Sequence, residues 1–319
     1  MRLAFLFPGQ GAQAVGMGRS LADTYPAARQ IFERADRALG FALTKVCWEG
    51  PEDELRRTDH AQPALLTHSI AAWTLLAAAG VEPDATAGHS LGEYSACVAA
   101  GALSFEDAVR LVHRRGALMW EAGQARPGTM AAILGLERAE VESACRDAAT
   151  AGTVVPANLN APGQVVISGE IAAVERACEL ARARGARRAV RLEVSGAFHS
   201  PLMAPAAEGL REALARVEIR DARCPIVANA TAETVRRADE IRAALEAQLL
   251  GAVRWEDSLR RLQADGVEGF VEVGTGRVLR GLLRTLDREA AAWNVEDPES
   301  LQATLGALGS DRQPSGRPT

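Results

Sequence analysis

The 319-residue sequence holds one lysine, Lys45, few aromatics (4%) and only five histidines. Its net charge is −5. That balance excludes a nucleic-acid partner, because binding phosphate backbones requires a dominant basic face. No run approaches the ~18 apolar residues of a membrane span, so no membrane association is expected. The apolar opening, Leu3 to Phe7, ends at Pro8-Gly9. It is too short for the h-region of a signal peptide, and no small-residue cleavage site follows. The five cysteines (Cys47, Cys97, Cys145, Cys178, Cys224) are scattered and form no C-x-x-C pair. An odd, unclustered set suits reduced thiols, and a cytoplasmic location is expected.

The sequence is 48% hydrophobic, and its length suits one large domain carrying an insertion. Leu3–Phe7 reads as a buried strand, Ala27–Leu39 and Pro63–Ala79 as helices, and Ala85–Ala87 as a strand running into a glycine-flanked turn and a helix. A further helix starts at Ser104, with Asp107 placed to cap it. Alternation of this kind predicts a parallel sheet covered on both faces. The middle differs. A strand over Thr129–Leu136 precedes a helix with Val141, Ala144, Cys145 and Ala148 on one stripe. Two strands, at Val154-Val155 and Val165–Ile167, lead to a second helix through Val174, Ala177 and Cys178. A strand in which Val190, Leu192 and Val194 alternate with charged residues closes the series. The order is βαββαβ. The expected fold is therefore α/β: a large α/β-hydrolase-like parallel-sheet core (1–126 and 197–308), an inserted ferredoxin-like subdomain at 127–196, and a loose tail over 309–319.

Gly88-His89-Ser90-Leu91-Gly92 fits G-x-S-x-G between a strand and a helix. In that setting a serine is held out toward substrate at a helix N-terminus. A base is then needed. His89 is adjacent on a tight turn and faces elsewhere, while His60, His68 and His113 lie in polar or helical settings. His199 sits in a loop before Ser200-Pro201, which fit N-cap and N1 of a helix. It is a candidate base, and position alone does not separate it from an ordinary loop histidine. No histidine follows it, which argues against the Ser–acid–His order of a lipase-like triad. Arg115 falls in the apolar stripe Ala108, Leu111, Val112, Leu118 and Met119 of its helix. A guanidinium there needs an anion, either an internal acid or a substrate carboxylate. Gly9-Gln10-Gly11-Ala12-Gln13-Ala14 matches the loose dinucleotide fingerprint G-x-G-x-x-A, but Pro8 and the serine turn fit a dehydrogenase poorly. The better use of that loop is a backbone N–H from Gln10, paired with that of Leu91, at an oxyanion.

Together these segments resemble the malonyl-CoA:acyl-carrier-protein transacylase family and the related acyltransferase domains of polyketide synthases. The matching stretches include Phe7-Pro8-Gly9-Gln10-Gly11, Gln62-Pro63-Ala64-Leu65, Gly88–Tyr94, Arg115-Gly116, Asn158-Leu159-Asn160, Gly196–Ser200, Gln248-Leu249 and Val253-Arg254-Trp255. The resemblance implies Ser90 as nucleophile, His199 as its base, and the Gln248 carbonyl orienting that imidazole. It implies Gln10 and Leu91 as oxyanion donors, and Arg115 as the seat of a malonyl carboxylate. Phe198 would exclude α-branched acyl groups. It further implies a ping-pong transfer from malonyl-CoA to the phosphopantetheine of an acyl carrier protein, without a metal or a permanently bound cofactor, by a monomer. Two enzyme readings remain beside it, a polyketide acyltransferase working in trans on a non-malonyl group and an acyl hydrolase on the same scaffold. An inactive carrier-docking module is the third alternative. Thr275, between Gly274 and Gly276, departs from the proline common in relatives.

Overall fold

The computed structural model describes residues 1–310. The chain is α/β, with ten strands in two separate sheets among the described residues: β1 (Leu3–Phe7), β2 (Ala85–Gly88), β3 (Thr129–Leu134), β4 (Val154–Ala161), β5 (Gln164–Gly169), β6 (Arg188–Arg191), β7 (Ile226–Val227), β8 (Thr234–Val235), β9 (Gly269–Val273) and β10 (Ala291–Val295). The larger sheet runs β10-β9-β1-β2-β7-β8, parallel except for the last pairing. Every residue of β1, β2 and β9 is buried, as expected for parallel strands covered on both faces.

The smaller sheet is antiparallel, in the order β4-β5-β3-β6. Its elements follow one another as β-α-β-β-α-β. The helices Arg138–Ala148 and Ile171–Ala183 cover one face, closing a separate core around Ile133, Val141, Ile167 and Val174. The last strand stops earlier than the alternation suggests. Ala189 is the residue buried under the helices, whereas Val190 is 46% exposed. Leu192 and Val194 lie beyond the strand and pack toward the main core. Val190 is on the edge strand, so its side chain faces past the core into solvent.

The sheets are stitched by main-chain groups. The Leu159 N–H donates to the Val253 carbonyl (2.8 Å) and the Val253 N–H to the Ala157 carbonyl (2.8 Å). Arg138 adds a bridge to Asp257 at 3.2 Å. The short β8, the strand β10 and the helices Val278–Leu286 and Pro298–Ser310 have no counterpart in the sequence reading. The last helix includes residues 309–310, the start of the expected tail; the remainder, 311–319, lies outside the described residues. No described helix is long and apolar enough to cross a membrane.

Candidate active site

Ser90 occupies the turn between β2 and the helix Gly92–Ala99 with φ of 51°, in the left-handed region that a serine adopts only when its surroundings enforce it. The flanking glycines explain how. A Cβ on Gly88 would lie 1.9 Å from the Gly92 carbonyl group, and one on Gly92 would lie 2.1 Å from the Phe7 oxygen. Backbones touch here, and no side chain fits between them. Asn229 braces the bend from β7's side: its Oδ1 accepts the Ser90 N–H (2.7 Å) and its Nδ2 donates to the Gly88 carbonyl (2.7 Å).

His199 has φ of 55° in the loop that leaves the smaller sheet. Ser200 caps the following turn, accepting the Leu202 N–H, with Pro201 at its first position. The His199 Nε2 lies 2.7 Å from the Ser90 Oγ. Its Nδ1 lies 3.0 Å from the Gln248 carbonyl and 3.2 Å from that of Gly251. Carbonyls only accept, so Nδ1 carries the hydrogen and Nε2 presents its lone pair to the serine hydroxyl. Burial, then the positive charge of Arg115, push the imidazole down to about 3. It is therefore neutral near pH 7, the form able to take a proton.

Arg115 projects from the helix Phe105–Ala125 and is 1% exposed. It forms no ion pair with any acid among the described residues. Its partners are neutral: Nη1 donates to Gln62 Oε1 (2.8 Å), and Nη2 to Gln248 Oε1 (2.9 Å) and Ser90 Oγ (3.1 Å). The Nε–H has no hydrogen-bond partner among the described residues. The guanidinium also lies over the Tyr94 ring, 5.6 Å from its centroid. Of the two options left open by the helix phase, a direct pair with an internal acid is not made among the described residues; the buried carboxyl of Glu93 reaches Arg115 by its charge and through Gln248. A buried cation with unused donors beside a serine hydroxyl is arranged to receive an anion.

Gln248, buried at the end of the helix Ala238–Gln248, does more than offer its carbonyl. Its Nε2 donates to the Ser90 carbonyl (2.7 Å) and to Glu93 Oε2 (2.8 Å), while its Oε1 faces Arg115. Glu93 and Asn229 complete this network and were not legible as site residues. Glu93 is in the first turn of the helix after Ser90, and Asn229 is 139 residues from Ser90 in the chain. No local pattern in the sequence links them.

Gln10 and Leu91 meet at the same place. Both line one cavity of about 380 Å³ with Ser90, Arg115, Phe198 and His199. Neither the Gln10 nor the Leu91 N–H has an acceptor among the described residues, as befits donors at a loop and a helix start. Phe198 is 6% exposed and forms part of the cavity wall, together with Leu192 and Val194 from the segment that follows β6. The other histidines are engaged elsewhere. His89 bonds Asn160 Oδ1 (2.9 Å) and packs on Trp255. His113 bonds the Asp59 carbonyl and His60 that of Glu54. His68 lies 2.5 Å from Thr275 Oγ1, which accounts for a threonine between two glycines. The glycine-rich loop after β1 faces the serine turn: a Cβ on Gly9 would lie 2.5 Å from the His89 oxygen.

Comparison with known proteins agrees over nearly the whole chain. Residues 4–303 match the family described as acyl transferase domain. The malonyl CoA-acyl carrier protein transacylase of Bacillus subtilis is 48% identical over 308 residues, 96% of this chain and 97% of that one. The solved malonyl CoA-acyl carrier protein transacylase of Coxiella burnetii superposes with a TM-score of 0.93 at 40% identity, covering 97% of this chain and 98% of its own. A malonyl-transacylase solved in complex with its type II PKS acyl-carrier protein gives 0.93 at 42% identity, covering 96% and 100%. The chain belongs to the acyl transferase family, among the malonyl CoA-acyl carrier protein transacylases.

Proposed function

We propose that this chain moves a malonyl group from coenzyme A to the phosphopantetheine thiol of an acyl carrier protein, through an ester on Ser90, in fatty-acid or polyketide synthesis. The observation that carries this reading is Arg115: a buried guanidinium with no direct ion pair among the described residues, 3.1 Å from the Ser90 Oγ. A cation so placed discriminates for an acyl group that ends in a carboxylate.

In the first half-reaction the Ser90 hydroxyl passes its proton to the His199 Nε2 as Oγ attacks the thioester carbonyl. The Gln10 and Leu91 N–H groups receive the developing oxyanion. Collapse expels the coenzyme A thiolate, which takes the proton back from His199. In the second half-reaction His199 removes the proton from the carrier thiol, the sulfur attacks the Ser90 ester, and Oγ leaves with that proton. The Gln248 and Gly251 carbonyls support the imidazolium through Nδ1–H. Malonyl-CoA and the carrier's arm are substrates, and every step is assigned to side chains and backbone of this chain, without a resident metal or cofactor. The Phe198 ring narrows the cavity against branched acyl groups.

We divide the chain into an α/β-hydrolase-like core (1–126 and 197–308) and an inserted ferredoxin-like subdomain (127–196), which the order β4-β5-β3-β6 supports. A cytoplasmic monomer is the state we propose.

Incubation with malonyl-CoA, with and without holo carrier protein, tests the function. Malonyl-Ser90 in a peptide digest and malonylated carrier are expected. Free malonate as the main product under both conditions would instead make the protein a hydrolase.

A further inference from the structure

We propose that Glu93 is a positioning residue which acts through Gln248 to hold the Arg115 guanidinium against Ser90, and so sets how strictly the enzyme demands a carboxylated acyl group. The inference rests on the Arg115 reading above and goes a step behind it.

The side-chain amide of Gln248 has one acceptor and two donors, and its direction decides what Arg115 meets. With the amide reversed, an NH2 would face the guanidinium, two donors would oppose each other, and Arg115 would lose its 2.9 Å bond. Acceptors on the far side add to the barrier against that reversal. The structure has two there, the Ser90 carbonyl at 2.7 Å and Glu93 Oε2 at 2.8 Å. The first lies on the turn itself and remains whatever residue stands at 93. The second depends on Glu93 alone. The same Oε2 accepts the N–H of Asn229 (3.2 Å), whose side chain braces Ser90. One buried oxygen thus ties together the amide, the serine turn and, through the amide, the cation.

Stability alone is a poor account of a carboxyl at this position. Glu93 is 1% exposed and has no ion-pair partner among the described residues, and burial pushes it up to about 7. A buried carboxyl costs solvation that an apolar residue on the same helix face would not. Its neighbours on that helix, Tyr94, Ala96 and Cys97, are all buried within the hydrophobic core.

Three variants test the proposal, assayed as transfer from malonyl-CoA and from acetyl-CoA to holo carrier protein. Glu93→Gln keeps an oxygen acceptor and is expected to hold the malonyl-to-acetyl ratio of kcat/KM within about threefold of the parent. Glu93→Leu removes the acceptor at similar volume and is expected to lower that ratio at least tenfold, mainly through malonyl transfer. Arg115→Ala, run in parallel, reports on the carboxylate seat itself. Equal loss of malonyl and acetyl transfer in Glu93→Leu overturns the proposal, since it marks a structural role. So does a ratio that falls in Arg115→Ala but not in Glu93→Leu. An unchanged ratio in Arg115→Ala refutes the seat instead. If Glu93→Leu does not fold, as judged by circular dichroism, Gln248→Met cuts the same connection and must lower the ratio; failure to do so is equally fatal.

Discussion

At the residue scale, the site is built on one oxygen shared by two groups. Ser90 Oγ receives a hydrogen bond from Arg115 and stands 2.7 Å from the His199 Nε2. In the proposed mechanism Arg115 therefore does two things at once: it offers a seat to an anion, and its charge, with burial, holds His199 down. Arg115→Ala is expected to lower kcat/KM for malonyl-CoA by roughly 10- to 150-fold, from the ~1.5–3 kcal/mol of a hydrogen bond to a charged group. Acetyl transfer should be spared. Removing a neighbouring cation makes the imidazole easier to protonate, so the acid limb of kcat/KM for acetyl-CoA should move to higher pH. A pH–rate profile in which the limb stays in place would show that the charge does not reach the base. Ser90 and Arg115 were legible because each breaks a local rule, a serine between glycines and a charge on an apolar stripe. His199 was legible only as one candidate, with its loop and the lack of any later histidine in its favour. The side chains of Gln248, Glu93 and Asn229 were not, because their meaning lies in contacts across more than a hundred residues.

At the scale of elements, the serine turn depends on three backbones touching: β1, β2 and the helix Gly92–Ala99. Gly88→Ala and Gly92→Ala each force a Cβ into main-chain atoms about 2 Å away, atoms that cannot swing aside as a side chain can. Overpacking of this kind costs about 1–3 kcal/mol or more. Both variants should show a lower urea midpoint with an unchanged slope, and malonyl transfer should fall further than stability, because the turn also aims Ser90. A midpoint equal to the parent's would mean the turn has room that the distances deny. The strands β1 and β2 were readable because their short apolar runs end at proline or glycine, Pro8 after Phe7 and Gly88 after Ala87. β8 has only two residues, and the first three of β10 are half-buried, so neither carries a burial pattern to read. The phase of β6 was misread because an edge strand leaves an apolar side chain such as Val190 uncovered without disturbing the core.

At the scale of the whole molecule, four of the buried titrating groups carry large and opposing shifts that bear on the response to pH. Burial pushes Glu93 and Glu272 up to about 7 from an ordinary 4.5, and His68 and His199 down to about 4 and about 3 from 6.5. The raised carboxyls bind protons the unfolded chain has released, so their contribution is full below pH 4.5 and lost as pH rises through 7. The lowered imidazoles act oppositely: theirs is full above 6.5 and lost as pH falls. Between pH 4.5 and 6.5 the two trends oppose each other, and below 4.5 the imidazoles carry stability downward together with carboxylates held low in the fold, such as Glu106 beside Arg34. Glu272→Gln removes one carboxyl from the balance. The folding free energy of that variant should gain roughly 1–2 kcal/mol between pH 5 and pH 7 relative to the parent's change over the same interval. Urea titrations at both pH values measure it, and parallel behaviour of the two proteins would rule the assignment out.

The seam between the sheets has a bearing on how such enzymes diversify. Its bonds join the Leu159 and Val253 amides to the Val253 and Ala157 carbonyls, groups that every residue type except proline can supply. Residue identities along the join can therefore drift while its alignment persists. Leu192 and Val194, which line the cavity, can then be exchanged to suit a different cargo without moving the Ser90 hydroxyl and His199 imidazole to which the proposed chemistry is assigned.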